Sequence, residues 1–270
     1  MRSKIAVCTV MSLLFVEPVF AWGPITHVHL AEKITGDQEP VLLYGALLPD
    51  FACVVYGNAE AQRCLKRLSH YEFDLLENGK FKTGFITHNN AWGTDYDAHL
   101  CFRRDPEPVY SVRKINKLAD EFGLSLSAGE NIFEAAIDCL VRLEGGVHLG
   151  KLLGKCANGP VCDDKLIDAF AARLAERTSM TLDQAASQIR RSTRGFRALV
   201  QQYAQELSKD DDDAVREFYV RITATRLECD IATAARYFNR AIDMCCEDYR
   251  GELQRVCERV RKEMADRDLL

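Results

Sequence analysis

The segment Thr87-His88-Asn89-Asn90-Ala91-Trp92-Gly93-Thr94-Asp95-Tyr96-Asp97-Ala98-His99 holds the densest set of reactive side chains in the chain. On an α-helix each residue turns about 100°. Asp95, seven positions after His88, and His99, eleven after, then return to nearly one face, while Asp97 points away. Two imidazoles and a carboxylate on one stripe offer the nitrogen and oxygen ligands that zinc takes. The competing reading is a polar stripe of locally satisfied histidines. Three zinc-type ligands on one face are the rarer chance outcome, so the metal reading leads. Trp92 shares the stripe and is expected to pack beside the site.

The other histidines are distributed unevenly. Five of the six fall between residues 27 and 99, and the sixth is His148. A second cluster is Trp22-Gly23-Pro24-Ile25-Thr26-His27-Val28-His29. It follows a segment, residues 1–21, that reads as a secretory signal. Arg2 and Lys4 precede an apolar run from Ile5 to Val16, and Val19-Phe20-Ala21 is a small-residue cleavage pattern. That run is short of the about 20 apolar residues of a spanning helix, which disfavours a retained anchor. Cleavage after Ala21 makes Trp22 the first mature residue and the protein periplasmic or secreted. It also leaves ten of the eleven cysteines and shifts the net charge from −5 to −6.

Trp-Gly-x-x-Thr-His directly after a cleavage site resembles the zinc-dependent phospholipase C family, which is related to single-strand-specific nucleases. Further marks follow in order: Leu48-Pro49-Asp50, His70 before an aromatic residue, then His88, Asp95 and His99. The likeness spans about residues 22–140. It implies a multi-helix bundle holding two or three Zn2+ ions. Trp22 would bind zinc through its α-amine and carbonyl oxygen, joined by His27. Asp50, His70 and His88 would hold a second zinc, and Asp95 would bridge the two. His99 would hold a third with side chains from a later helix. The family places a His and a Glu four residues apart there, and no matching His follows His99. Glu134, with Asp138 behind it, is the nearest candidate. Carboxylates there would weaken zinc binding or favour a harder metal.

Several residues receive plainer readings. Asp50 is also a candidate general base toward the attacking water. His29 and His148 are expected off the site, and Thr26 and Thr87 are candidates to orient the adjacent imidazoles. Glu130 is assigned to a capping box with Ser127. Cys53–Cys64 and Cys156–Cys162 are the expected local bridges, with Cys229, Cys245, Cys246 and Cys257 tying C-terminal helices together.

These side chains need a scaffold, and the chain reads as all-α. Helices are expected from Pro24 to about Ile34 and from Val41 to Leu48. A loop and short helix fill 51–69, His70 to Glu77 is helical, and Lys82 to Cys101 forms one longer helix. Pro106 and Pro108 break the 103–109 stretch. Another helix continues from the Ser127 cap to about Leu143. All seven prolines lie at or before Pro160, and 161–270 is rich in helix formers. Helices are expected near 164–177, 182–207, 212–227, 230–246 and 248–266, with a capping box at Thr181 and Gln184. Asp210 to Asp213 lack calcium-loop spacing and read as an acidic helix start. The organisation is a leader, 1–21, and one helical domain, 22–270. The metal site lies within 22–140, and the C-terminal helices form a semi-independent layer.

The chain is 47% hydrophobic, 28% charged and mildly acidic. That is a globular composition, and it disfavours a protein held to nucleic acid by a basic surface. The expected function is an exported zinc-dependent phosphodiesterase, a phospholipase C cutting phospholipid between glycerol and phosphate through a metal-activated water. Its partner is the phospholipid substrate, with transient membrane-surface contact and no obligate protein partner. A nuclease of the same superfamily and a non-catalytic metal-binding envelope protein are the alternatives.

Overall fold

The first two helices are punctuated by proline and glycine. Helix α1 (Pro24–Thr35) opens with proline at its first position, where no N–H is needed. It closes at Gly36, whose left-handed backbone (φ 71°) lets its N–H reach Glu32 O. Helix α2 (Pro40–Leu47) also opens on proline and runs into a 3₁₀ turn, Leu48–Val54. Asn58 caps α3 (Ala59–Tyr71) by accepting from the Ala61 N–H. Then follow α4 (Lys80–His88), α5 (Asp95–Ala98), α6 (Tyr110–Phe122) and α7 (Leu126–Ala157). The C-terminal set is α8 (Asp163–Arg177), α9 (Leu182–Leu207), α10 (Asp212–Arg226), α11 (Ile231–Cys245) and α12 (Tyr249–Ala265). This computed structural model describes residues 22–55, 57–98, 110–159 and 163–270, among which there is no strand. None of the described helices is long and apolar enough to cross a membrane.

The C-terminal helices lie where their caps put them. Thr181 and Gln184 form the expected capping box, Asp211 caps α10 with Asp212 and Asp213 in its first turn, and Asp230 caps α11. The middle of the chain differs from the sequence reading. The helix expected from Lys82 to Cys101 stops at His88, and α5 begins only at Asp95. The helical reading of His70 to Glu77 shortens to the end of α3 and a 3₁₀ turn at Phe73–Leu75. The cap of α7 is Ser125, which accepts from the Ala128 N–H at 3.1 Å, so Ser127 and Glu130 form no capping box. Nor does α7 end near Leu143. It kinks at Gly146 (φ 62°, ψ −165°), resumes to Ala157 and carries His148 exposed on its second half.

Helix α7 is the central post. It packs against α1, α2, α6, α9, α10 and α11, while α12 lies along α1. The fully buried Arg142 on α7 donates to Leu207 O and, at 2.6 Å, to Lys209 O. A cation is thereby placed at the negative C-terminal end of α9. One apolar cluster runs from Trp22 through Phe133, Phe170 and Phe218 to Met264. The C-terminal helices share this core with the first half. No Cys53–Cys64 bridge forms: Cys64 is a free thiol on α3. Cys156, Cys229, Cys245, Cys246 and Cys257 are thiols as well, and Cys162 lies outside the described residues.

Helices α2 and α4 meet at backbone distance. A Cβ on Gly84 would stand 1.8 Å from Leu42 O, and one on Gly45 2.3 Å from Phe81 O. This closeness brings the Ala46 carbonyl within 2.8 Å of His88 Nδ1. Gly84→Ala should therefore cost about 1–3 kcal/mol or more, because the helices must separate. Gly251→Ala is the control: nothing lies within 4 Å of a Cβ there. It should be neutral or stabilise by at most about 1 kcal/mol. Urea unfolding of both variants measures the difference.

Candidate metal centre

Five side chains from five elements converge below the surface. His27 comes from the first turn of α1, Asp50 from the 3₁₀ turn and His70 from the end of α3. His88 is the last residue of α4 and Asp95 the first of α5. All are at most 2% exposed. His88 Nε2 lies 3.6 Å from Asp50 Oδ1 and 3.1 Å from Asp95 Oδ2. His70 Nε2 stands 3.7 and 3.6 Å from the same two carboxylates, and His27 Nε2 3.9 and 3.6 Å. His27, Asp50 and His88 form one compact ligand group, and His70, His88 and Asp95 a second, each with its donor atoms within 4.8 Å of one another.

Local hydrogen bonds aim these groups. His88 Nδ1 is tied to Ala46 O, and His70 Nδ1 lies 2.9 Å from Lys66 O, so both rings turn Nε2 inward. Ser69 Oγ donates to Pro49 O at 2.8 Å and pins the end of α3 to the turn that carries Asp50. Between His88 and Asp95 the chain makes a tight reversal. Asn89 Oδ1 accepts from the N–H groups of Ala91, Trp92 and Gly93, diverting the backbone out of the helix. Gly93 must be glycine, since a Cβ would meet Asn89 N at 2.5 Å. The Thr94 N–H then closes onto Thr87 O at 2.7 Å. His88 and Asp95 thus meet through a turn, not along the continuous helix that their spacing suggested.

The electrostatics are those of charge held out of water. Burial drives the His27 pKa down to about 3, assisted by His88, whose ring is stacked on it at 3.9 Å. Burial also lowers His70. The same burial works to lower His88, but Asp95 and Asp50 overcome it and hold His88 up to about 10. Burial works to raise Asp50, and the three neighbouring imidazoles keep it below the ordinary carboxylate value. Despite this closeness, His27 Nε2, His88 Nε2 and Asp50 Oδ1 make no hydrogen bond. Buried polar atoms are rarely left so. A divalent cation, displacing the His88 proton, would engage imidazole nitrogens and carboxylate oxygens together, so these buried His/Asp groups could hold a metal ion.

The remaining expected residues sit as follows. Trp22 is fully buried, tilted against Phe133, and donates from Nε1 to Thr94 O at 3.1 Å. His99 lies outside the described residues. Glu134 is 1% exposed and neither of its carboxylate oxygens has a hydrogen bond, yet it belongs to neither ligand group. Burial lifts its pKa well above the ordinary value, and Glu130, buried one turn earlier, lifts it further. Glu130 is therefore a site neighbour that its assignment to a cap concealed; its four-residue spacing to Glu134 was the available signal. Asp138 is engaged away from the two ligand groups. Its Oδ1 accepts from the Thr26 N–H at 2.7 Å and the Thr26 hydroxyl at 2.8 Å, and its Oδ2 from the Tyr219 hydroxyl at 2.7 Å. It buttresses the start of α1. Thr26 is thus spent on Asp138 and Thr87 on Gly84 O, so neither hydroxyl orients an imidazole. His29 is half-buried, off the cluster. Trp92 packs edge-on to Phe73, as expected of a neighbour.

Asp138→Asn keeps the shape but removes one acceptor from buried donors. It should cost about 1–3 kcal/mol in urea unfolding, while leaving metal content at saturation unchanged. Loss of metal with unchanged stability would return Asp138 to the ligand set.

Compared with known proteins, the chain matches no family model, no curated protein and no solved structure.

Proposed function

We propose that this protein is an exported metal-dependent phosphodiesterase, a phospholipase C acting on phospholipids at a membrane surface. The observation that carries the reading is the set of inward-facing, hydrogen-bond-free His27 Nε2, His88 Nε2 and Asp50 Oδ1, buried beside His70 and Asp95. The order of the motifs from Trp22 to Asp95, which resembles the zinc-dependent phospholipases C, supports the choice of chemistry.

In this reading His27, Asp50, His70, His88 and Asp95 would hold two zinc ions. Trp22 would join them once residues 1–21 are removed. His99 and Glu134 would serve a third, weaker position. Divalent cations held there would supply Lewis acidity toward water and a phosphodiester. The chain's own part is orientation and proton handling. Ala46 O and Lys66 O fix the tautomers of His88 and His70 with Nε2 toward the ligand. Asp50, which faces the same space as the imidazoles, is the candidate acceptor for the proton of the attacking water.

Metal analysis of the purified mature protein is expected to find at least two zinc equivalents. A metal-free protein that takes up no zinc overturns the enzyme reading. His88 belongs to both ligand groups. His88→Ala should then abolish hydrolysis of a phosphocholine ester and lower zinc content. Hydrolysis of single-stranded DNA in place of the ester would make the protein a nuclease instead. The mature chain should begin at Trp22, and one extra residue before it should loosen a zinc ion.

A further inference from the structure

The turn that delivers Asp95 is gripped from the far end of the chain. Arg259, near the middle of α12, spreads its guanidinium over three acceptors. Nη1 donates to Trp92 O at 2.7 Å, Nη2 to Gly93 O at 2.8 Å, and Nε to Asp97 Oδ2 at 2.8 Å. Its face lies 5.1 Å from the Tyr96 ring. Asp97 is fully buried and takes a second guanidinium, Arg255, at 3.3 Å on its other oxygen. Arg255 is held in turn by Glu252. The residues either side of Asp95 are therefore fixed to α12 through carbonyls and a carboxylate, while Thr94 is fixed to Trp22 on the other flank.

Local alternatives do not explain this. A buried Asp97 needs one cation, and a helix needs none of these carbonyl contacts. Trp92 O and Gly93 O belong to the reversal, not to α5, and turn carbonyls normally face water. The planar fork reaches two carbonyls and a carboxylate from three separate nitrogens, where a lysine ammonium would have to gather all three acceptors on one.

We propose that Arg259 is a positioning residue for the metal centre: it holds the 92–97 turn so that Asp95 stands at its place between His27, His70 and His88. The consequence for metal rests on the reading of that centre given above; the grip on the turn does not.

The test uses the full mature chain and Zn2+ alone as probe, in two arms. In the first, amide hydrogen exchange is followed without metal. Arg259→Lys retains the charge and loses the fork. It should speed exchange at Thr94, Tyr96 and Asp97 at least tenfold while amides of α7 and α9 stay unchanged. Arg259→Ala should do the same, and if it fails to fold the lysine variant carries the test. In the second arm, zinc affinity measured against a competing chelator should fall about 10- to 100-fold in Arg259→Lys. Arg267→Ala, which removes a guanidinium 5.0 Å from the Trp92 ring on the same end of the chain, should leave affinity unchanged. Exchange that is unaltered, or raised equally throughout the protein, overturns the grip. Raised exchange at the turn with wild-type zinc affinity overturns the positioning role. A wild-type chain that takes up no zinc yet shows the selective exchange effect overturns the metal reading and leaves Arg259 as the holder of the turn.

Discussion

Taking two carboxylates and three imidazoles out of water at one point is the demand that organises this molecule. An ionised group stranded in a protein interior is costly unless charge or hydrogen bonds compensate it. Here compensation is mutual and crowded. Two imidazoles are pressed toward neutrality and one toward the imidazolium, beside an Asp50 that its neighbours keep ionised. Each of the five groups comes from a separate element. The cluster therefore exists only when α1, the 3₁₀ turn, α3, α4 and α5 are all in register. The glycine-to-backbone contact of α2 with α4, the Ser69 bond to Pro49 and the Asn89 turn each secure one part of that register.

The acid just outside the cluster is handled differently. Asp138 is spent on three donors and stiffens the start of α1. Glu134 is left bare beside Glu130, in the wall of a cavity of about 10 Å³, roughly the space of a single water. Tyr203 and Arg226 line the same cavity. Two carboxylates four residues apart on one helix thus have opposite roles, and residue type and spacing alone could not separate them.

The sequence was most informative where structure is local. The five C-terminal helices begin and end within a residue or two of the limits set by Thr181, Asp211, Asp230 and the lack of proline. Cap and propensity are properties of adjacent residues, so they can be read without the fold. It was least informative between 82 and 101. A run with helical composition conceals a reversal made by one asparagine side chain and one obligatory glycine. His88 and Asp95 do come together, but by a route that periodicity could not describe. Asp97, set aside for pointing away, is an anchor because its partners lie 158 and 162 residues further along. Nothing in the spacing of residues 87–99 could announce them. His27, Asp50 and His70 came from the order of short motifs, since no single helix connects them.

Helix α12 also meets the first described helix. Arg261 donates to Ile34 O at 3.2 Å and also to Lys33 O, so α12 lies along the end of α1, close to the turn that Arg259 grips. During synthesis the cluster residues emerge well before the helix that ties them down. Until then the 92–97 reversal lacks its largest set of anchors, and the early helices lack one wall of the core. A partly made chain is therefore a poor candidate for premature closure. Emergence of α12, and not of the ligands alone, is then what allows the 92–97 turn to be held.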